Sequence, residues 1–132
     1  MSTMSQYMNS LVVDSDQVFR ESVANLLLAC GVKNIEMAST MEEARERVAR
    51  NYFDIIFVEI ALPHMSGLDF AQKLRQQTPK TKIILLIEDQ QLANLNETRR
   101  SEWSFPTLLK SFAHDTLPQL LADDANSIPP GG

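Results

Sequence analysis

Charged side chains occur where three apolar stretches of the chain end, at Asp14, Glu59 and Lys110. Short apolar stretches of this kind are typical of strands that are buried on both faces of a parallel sheet. The carboxyl ends of parallel strands meet at one edge, where functional groups gather, so we expect these side chains to lie close together. Glu59 can then pair directly with Lys110, and this edge is the best candidate for charge-based chemistry.

Five predicted strands alternate with helical patterns along the chain. The predicted strands lie at residues 11–13, 34–38, 55–60, 83–87 and a short stretch ending at 109. A weakly periodic helix is predicted over 88–102, and a last helix from about Asp115 to Asp124, with Pro118 acceptable only in its first turn. The alternation predicts an α/β fold, a flavodoxin-like (βα)5 doubly wound parallel sheet with strand order 2-1-3-4-5.

Polar residues mark two of the predicted helix starts. Ser66 can cap the helix that follows the third strand. Two overlapping capping-box patterns, Ser39 with Glu42 and Thr40 with Glu43, precede the second helix.

Length and composition are those of one globular domain, with 132 residues and 44% apolar content. A net charge of −5 argues against direct nucleic-acid binding, which needs clustered basic residues, and the single Cys30 cannot form an intramolecular disulfide. No apolar run approaches the ~20 residues that span a membrane, and residues 1–10 do not resemble a signal peptide. We therefore expect a cytoplasmic protein with a disordered N-terminus (1–9), a domain (10–124) and a flexible tail or linker remnant (125–132).

The turn after the third strand is the most specific motif in the chain. Residues 62–67 read LPHMSG and lie between the strand that carries Glu59 and the next helix, while Lys110 and Phe112 follow the fifth strand. This ordered set resembles the receiver domain of bacterial response regulators, over roughly residues 10–122. The resemblance implies the receiver fold and a role in two-component (phosphorelay) signal transduction.

The resemblance also implies a phosphoacceptor site, and this chain departs from it at three positions. In the family, two acids after the first strand hold Mg²⁺, and an aspartate after the third takes a phosphoryl group from a histidine kinase. A Ser or Thr after the fourth strand and a lysine after the fifth contact that group. Asp14 and Lys110 are kept, whereas Ser15 replaces the second acid, Glu59 the acceptor and Ile87 the hydroxyl residue. We interpret the five positions as a degenerate phosphoacceptor site.

Mg²⁺ is the metal that the resemblance implies, with Asp14, Asp16 and Glu59 as the available ligands. Asp16 stands at a helix N-cap, an interpretation that we favour over a compensating metal ligand. Mg²⁺ demands near-ideal octahedral geometry, and the missing carboxylate at Ser15 weakens the site. We therefore expect no cofactor, and at most a weak Mg²⁺ site.

Glutamate at position 59 extends its carboxylate by one methylene, roughly 1.5 Å, beyond the reach of aspartate. In-line attack depends on position, so we expect no phosphorylation at Glu59. Either Glu59 mimics the phosphorylated state, or it forms a structural ion pair with Lys110 in a domain that serves as a docking surface. Ile87 cannot hydrogen-bond a phosphoryl oxygen, which favours the structural ion pair.

The residues that would transmit phosphorylation from the site to the surface are altered as well. Thr107 stands where the family commonly has a Tyr or Phe that reports phosphorylation, and Ser111 replaces a proline, so a trans peptide is expected before it. The family binds partners through its fourth helix, fifth strand and fifth helix. Four residues fall on or near this predicted partner face, although core packing is an equally good interpretation of its aromatic side chains: Trp103, Phe105, Thr107 and Phe112.

Three functional interpretations remain open. We favour a phosphorylation-independent receiver that binds a protein partner, either an output domain, a histidine kinase or a second copy in a homodimer, and neither nucleic acid nor membrane. The alternative is a conventional Mg²⁺-dependent phosphoacceptor using a displaced carboxylate such as Asp16 or Asp54, although Asp54 begins its strand at the far end from the site. A weaker alternative is a flavodoxin-like small-ligand binder, against which the acidic residues after the first strand count because they would repel phosphate.

Overall fold

A parallel five-stranded sheet forms the centre of the molecule. The computed structural model of the chain describes residues 9–60, 66–88 and 105–126. The strands are β1 (Asn9–Val13), β2 (Asn34–Ala38), β3 (Ile55–Glu59), β4 (Lys82–Ile87) and β5 (Thr107–Leu109). Their order is β2-β1-β3-β4-β5, so the predicted flavodoxin-like topology is confirmed.

Four helices are described around this sheet. They are α1 (Gln17–Ala29), α2 (Met41–Arg50), α3 (Gly67–Gln77) and a C-terminal helix (Ala113–Asn126), which a 3-10 turn (Lys110–Phe112) precedes. Apart from residue 88, the helix predicted over 88–102 lies outside the described residues. Within the described part of the chain, no helix combines the length and the apolar character that a membrane crossing requires.

Two apolar layers hold the helices against the sheet. Phe70 and Leu74 of α3 pack with Ala44 of α2 on one face, whereas α1 and the C-terminal helix meet on the other. Alternate residues of β1 and β3 enter opposite layers, which explains why these strands are apolar without alternation. This two-sided burial fixes the strand ends relative to one another.

Local hydrogen bonds set the helix ends much as the sequence predicted. Ser66 accepts a hydrogen bond from the Leu68 amide, and Thr40 accepts one from the Glu43 amide. The Glu43 carboxylate reaches back to the amide and hydroxyl of Ser39, at 2.7 and 2.6 Å. The Thr40 half of the predicted Thr40–Glu43 pattern is thus confirmed, whereas the Glu43 carboxylate bonds to Ser39, which was predicted to pair with Glu42.

The ends of several elements differ from the prediction, most clearly those of β1 and the C-terminal helix. β1 already begins at Asn9, which was assigned to the N-terminal segment, and pairs there with Asn34. The C-terminal helix begins at Ala113 and includes Pro118 in its interior, not in its first turn. Because the 3-10 turn runs directly into this helix, the helix begins before Asp115, its predicted first residue. The boundaries of the predicted terminal segments remain predictions.

Gly67 brings the start of α3 against the end of β3. Its amide donates to the Ile60 carbonyl at 2.8 Å, and a Cβ atom at this position would lie 1.9 Å from the Glu59 carbonyl oxygen. Real Cβ atoms do not approach backbone this closely, so only glycine lets the helix start beside the residue that carries the site. The glycine of the LPHMSG turn therefore has a steric role.

We predict that Gly67→Ala destabilises the fold by about 1–3 kcal/mol, because α3 or the end of β3 must shift to admit the methyl group. Urea unfolding measures the change. Gln72→Ala, at an exposed position of the same helix, is the matched control and should change stability by no more than about 0.5 kcal/mol. Equal stability of the two variants would contradict the steric role of Gly67.

Candidate functional site

The ammonium group of Lys110 lies between two acidic side chains at the carboxyl edge of the sheet. Its Nζ is 2.7 Å from Asp14 Oδ2 and 3.2 Å from Glu59 Oε1. Asp14 follows β1, Glu59 ends β3 and Lys110 follows β5, so the parallel strands bring all three together as predicted. A third carboxylate, that of Glu88 after β4, lies 4.0 Å away and was not anticipated from the sequence.

Both carboxylate oxygens of Glu59 are engaged. Oε2 accepts hydrogen bonds from the amide and from the hydroxyl of Ser15, each at 2.9 Å, while Oε1 faces Lys110. The side chain is 9% exposed. Sequence reasoning treated Ser15 as a lost acid and missed its role as a donor to Glu59. The indication in the sequence was the extra methylene of Glu59, which extends its carboxylate past the reach of aspartate.

Asp14 is wholly buried and anchored from several sides. Oδ1 accepts a hydrogen bond from the Asp16 amide at 2.8 Å, and its carbonyl oxygen accepts one from Arg20 at 2.7 Å. Its amide donates to the carbonyl of Ala38 in β2. Among the described residues, Oδ2 has Lys110 as its ion-pair partner and no further hydrogen bond. The position of Lys110 therefore decides whether this buried oxygen is compensated.

Burial and charge act in opposite directions on these groups. Burial raises the pKa of Asp14 above 3.8, although the hydrogen bond from Lys110 and that from the Asp16 amide oppose this effect. Burial alone would lower the pKa of Lys110, but its hydrogen bond to Asp14 and the charges of Asp14 and Glu59 raise it above 10.5. Lys110 thus stays protonated as the counter-charge of the cluster.

The residues expected to hold Mg²⁺ do not form a site that fits this ion. Asp16 Oδ1 caps α1 by accepting from the amides of Val18 and Phe19, at 3.0 and 3.4 Å, the role that we favoured for it. Both oxygens of Glu59 already have partners. The described part of the chain contains no group of three His, Cys, Asp or Glu side chains arranged to hold a metal. Lys110 takes the position between the carboxylates as their cation.

Position 87 offers the site no hydroxyl group. Ile87 ends β4, pairs in register with Leu109 and is 1% exposed. The peptide between Lys110 and Ser111 is trans, as predicted, since no cis peptide occurs among the residues described. The described site therefore lacks both the hydroxyl residue and the cis peptide that the family resemblance implies.

The two described side chains of the predicted partner face have different environments. Phe105 is 8% exposed, packs in the core with α3 and has the Arg75 guanidinium 3.7 Å from its ring centroid. Core packing, the alternative interpretation, therefore describes this residue, and Thr107 is exposed at the start of β5. Trp103 and the side chain of Phe112 lie outside the described part of the structure, so their assignment to a partner face remains a prediction.

We predict that Lys110→Met destabilises the protein by about 3–5 kcal/mol at neutral pH, because it leaves two buried carboxylates without a counter-charge. The deficit should shrink on acidification, since the folded state then binds a proton at Asp14 more tightly than the unfolded state, whose pKa is near 3.8. The native stabilisation from Lys110 is present below pH 10.5 and is lost as the pH rises through its raised pKa.

Urea unfolding at pH values from acidic to above 10.5 measures both effects. Lys33→Met, which removes an exposed lysine, is the control and should lie within about 0.5 kcal/mol of the native protein at neutral pH. A Lys110→Met deficit that stays constant between neutral and acidic pH would contradict the assigned counter-charge role.

Comparison with known proteins agrees with this geometry. The family model of the response regulator receiver domain matches residues 10–122. The autoinducer 1 sensor kinase/phosphatase LuxN of Vibrio harveyi is 29% identical over 107 residues, which cover 79% of this chain and 12% of LuxN. The sensory transduction protein LytR of Staphylococcus epidermidis is 34% identical over 87 residues, 65% of this chain and 34% of LytR. The chain thus spans only a minor part of these relatives.

A solved structure supports the same conclusion. The response regulator TrrA of Thermotoga maritima, in complex with Mg²⁺-BeF, superposes with a TM-score of 0.71 at 28% identity, covering 87% of this chain and 96% of that one. Sheet order, site position and the family match over most of the sequence agree. This chain belongs to the response regulator receiver domain family of two-component signal transduction.

Proposed function

We propose that this receiver domain acts without phosphorylation, as a protein-interaction module. The observation that carries the proposal is the closed carboxylate of Glu59, bound at one oxygen by Ser15 and at the other by Lys110. A carboxylate that attacks phosphorus must present a lone pair in line with the leaving group. Attack by Glu59 would first require these contacts to break.

The surroundings of Glu59 favour a structural ion pair over a phosphoryl mimic. Its charge is already compensated by Lys110, which also holds Asp14 at 2.7 Å. A mimic acts by drawing a switch element toward its charge, and the apolar Ile87 offers no donor for that purpose. In this proposal, the ion pair holds the domain in one conformation that a partner protein recognises.

The partner is a protein of the signalling system to which the domain belongs. Receiver domains interact with histidine kinases and output domains, and LuxN, of which this chain resembles a part, is named as a sensor kinase/phosphatase. We propose an output domain, a histidine kinase or a second copy of the chain as the partner, with the exposed start of β5 at Thr107 in the contact.

A displaced phosphoacceptor has less support than this proposal. Asp54 precedes β3 at the end opposite Glu59, and its Oδ2 accepts a hydrogen bond from the Asn9 amide at 2.9 Å. Asp16 caps α1 through Oδ1. Both carboxylates have structural roles, so neither is a good candidate for a displaced phosphoacceptor.

We predict that beryllofluoride, a phosphoryl mimic, causes no site-localised amide NMR shifts when it is added with Mg²⁺ to the native protein. The control is the triple variant Ser15→Asp/Glu59→Asp/Ile87→Thr, which supplies the side chains that the family resemblance implies. This variant should show saturable shifts around Asp14 and Lys110, because Ser15→Asp supplies a second carboxylate after β1 and the shorter residue 59 opens a position for the metal.

Saturable shifts around Glu59 in the native protein would overturn the proposal, as would stoichiometric labelling by a small phosphodonor detected by intact mass. Failure of the triple variant alone would show instead that more than three positions separate this chain from a working phosphoacceptor. The native protein and the variant therefore answer separate questions.

A further inference from the structure

A groove between α2 and α3 lies on the face of the sheet away from α1. Its volume is about 520 Å³, within the range of small binding sites. Buried Phe70 and Leu74 of α3 form the floor, and Val48 and Ala49 of α2 form a wall. Its lining runs from Arg45 of α2 and Phe70 of α3 to Thr78 at the end of α3, toward the edge where the strands begin. It is therefore separate from the Lys110 site, which lies where the strands end.

Both charged residues that line this groove are positive. Arg45 of α2 and Lys73 of α3 are the charged residues among those that line it, and both are exposed. Neither makes an ion pair or hydrogen bond with any residue that the structure describes. By contrast, Arg47 on the same helix pairs with Glu36 and with the Met37 carbonyl. Two unpaired cations beside an apolar floor, on a chain of net charge −5, form a local positive site.

We propose that this groove binds an acidic segment of a partner protein, with an apolar side chain on the floor and carboxylates paired with Arg45 and Lys73. The charge complementarity and the apolar floor together select this chemistry. Two cations on an acidic chain do not suffice for a nucleic acid or an anionic membrane, which need extended basic surfaces. The inference rests on the proposed interaction function and adds to it a surface and a class of partner.

Selection from a display library of short random peptides tests this proposal. The native protein is the target, and the variant Arg45→Glu/Lys73→Glu serves for counter-selection. We expect enriched peptides that combine Asp or Glu with a bulky apolar residue and that bind the variant at least about tenfold more weakly. Both positions are exposed, so the variant should keep its stability within about 0.5 kcal/mol per substitution.

The matched control is Arg50→Glu, an exposed charge reversal on α2 outside the groove, which should leave peptide affinity within about twofold of native. Amide NMR with an enriched peptide should place the shifts at Val48, Phe70 and Leu74. Shifts elsewhere, enriched peptides without acidic residues, or equal binding to the double variant would each overturn the proposal. So would stronger binding to an RNA oligonucleotide or to phosphatidylglycerol vesicles than to any enriched peptide.

The outcome is distinguishable from that of the beryllofluoride experiment. That titration reports on Asp14 and Lys110 at the carboxyl edge, whereas the peptides report on the groove between α2 and α3. Phosphorylation independence can therefore fail while the groove still binds acidic peptides, and the reverse also holds.

Discussion

The ion pairs of Lys110 with Asp14 and Glu59 are the interaction on which the arrangement of this domain depends. The carboxylates come from β1 and β3, the lysine follows β5, and all three side chains are almost completely buried. Buried charges are tolerated only when they are paired, so the three strands must keep their relative positions for the charges to be compensated. Gly67 serves the same requirement, because it lets α3 start beside the Glu59 backbone without displacing it.

The closed cluster around Glu59 gives this receiver fold a site that differs from the one implied by the family resemblance. Ser15 and Lys110 occupy the two oxygens of Glu59, and Ile87 places an apolar side chain where a hydroxyl would contact a phosphoryl group. In the proposed function, such a site holds the domain in one conformation and leaves signalling to its surfaces. The groove between α2 and α3 and the exposed start of β5 at Thr107 lie in different places, so the domain has room for more than one contact.

Strong local patterns made most of the fold predictable. The strand that begins at Ile55 and the trans peptide before Ser111 follow from an apolar run and from backbone energetics, and these predictions are confirmed. Asp16 also serves as the helix cap for which its position suited it. Where the prediction was wrong, a neighbouring element had changed the local outcome. The C-terminal helix begins earlier because it continues the 3-10 turn, and the Glu43 carboxylate accepts a hydrogen bond from the Ser39 amide.

By itself, the sequence determined the strand order, the placement of Asp14, Glu59 and Lys110 at one edge, and the loss of family residues at three positions. It could do so because apolar periodicity and alternation of elements are local properties that topology rules convert into a sheet. Only the tertiary structure decided that Ser15 holds Glu59, that Glu88 approaches Lys110 and that Phe105 is in the core. These contacts join residues far apart in the chain, and the reach of a side chain between strands is fixed only once packing sets their spacing.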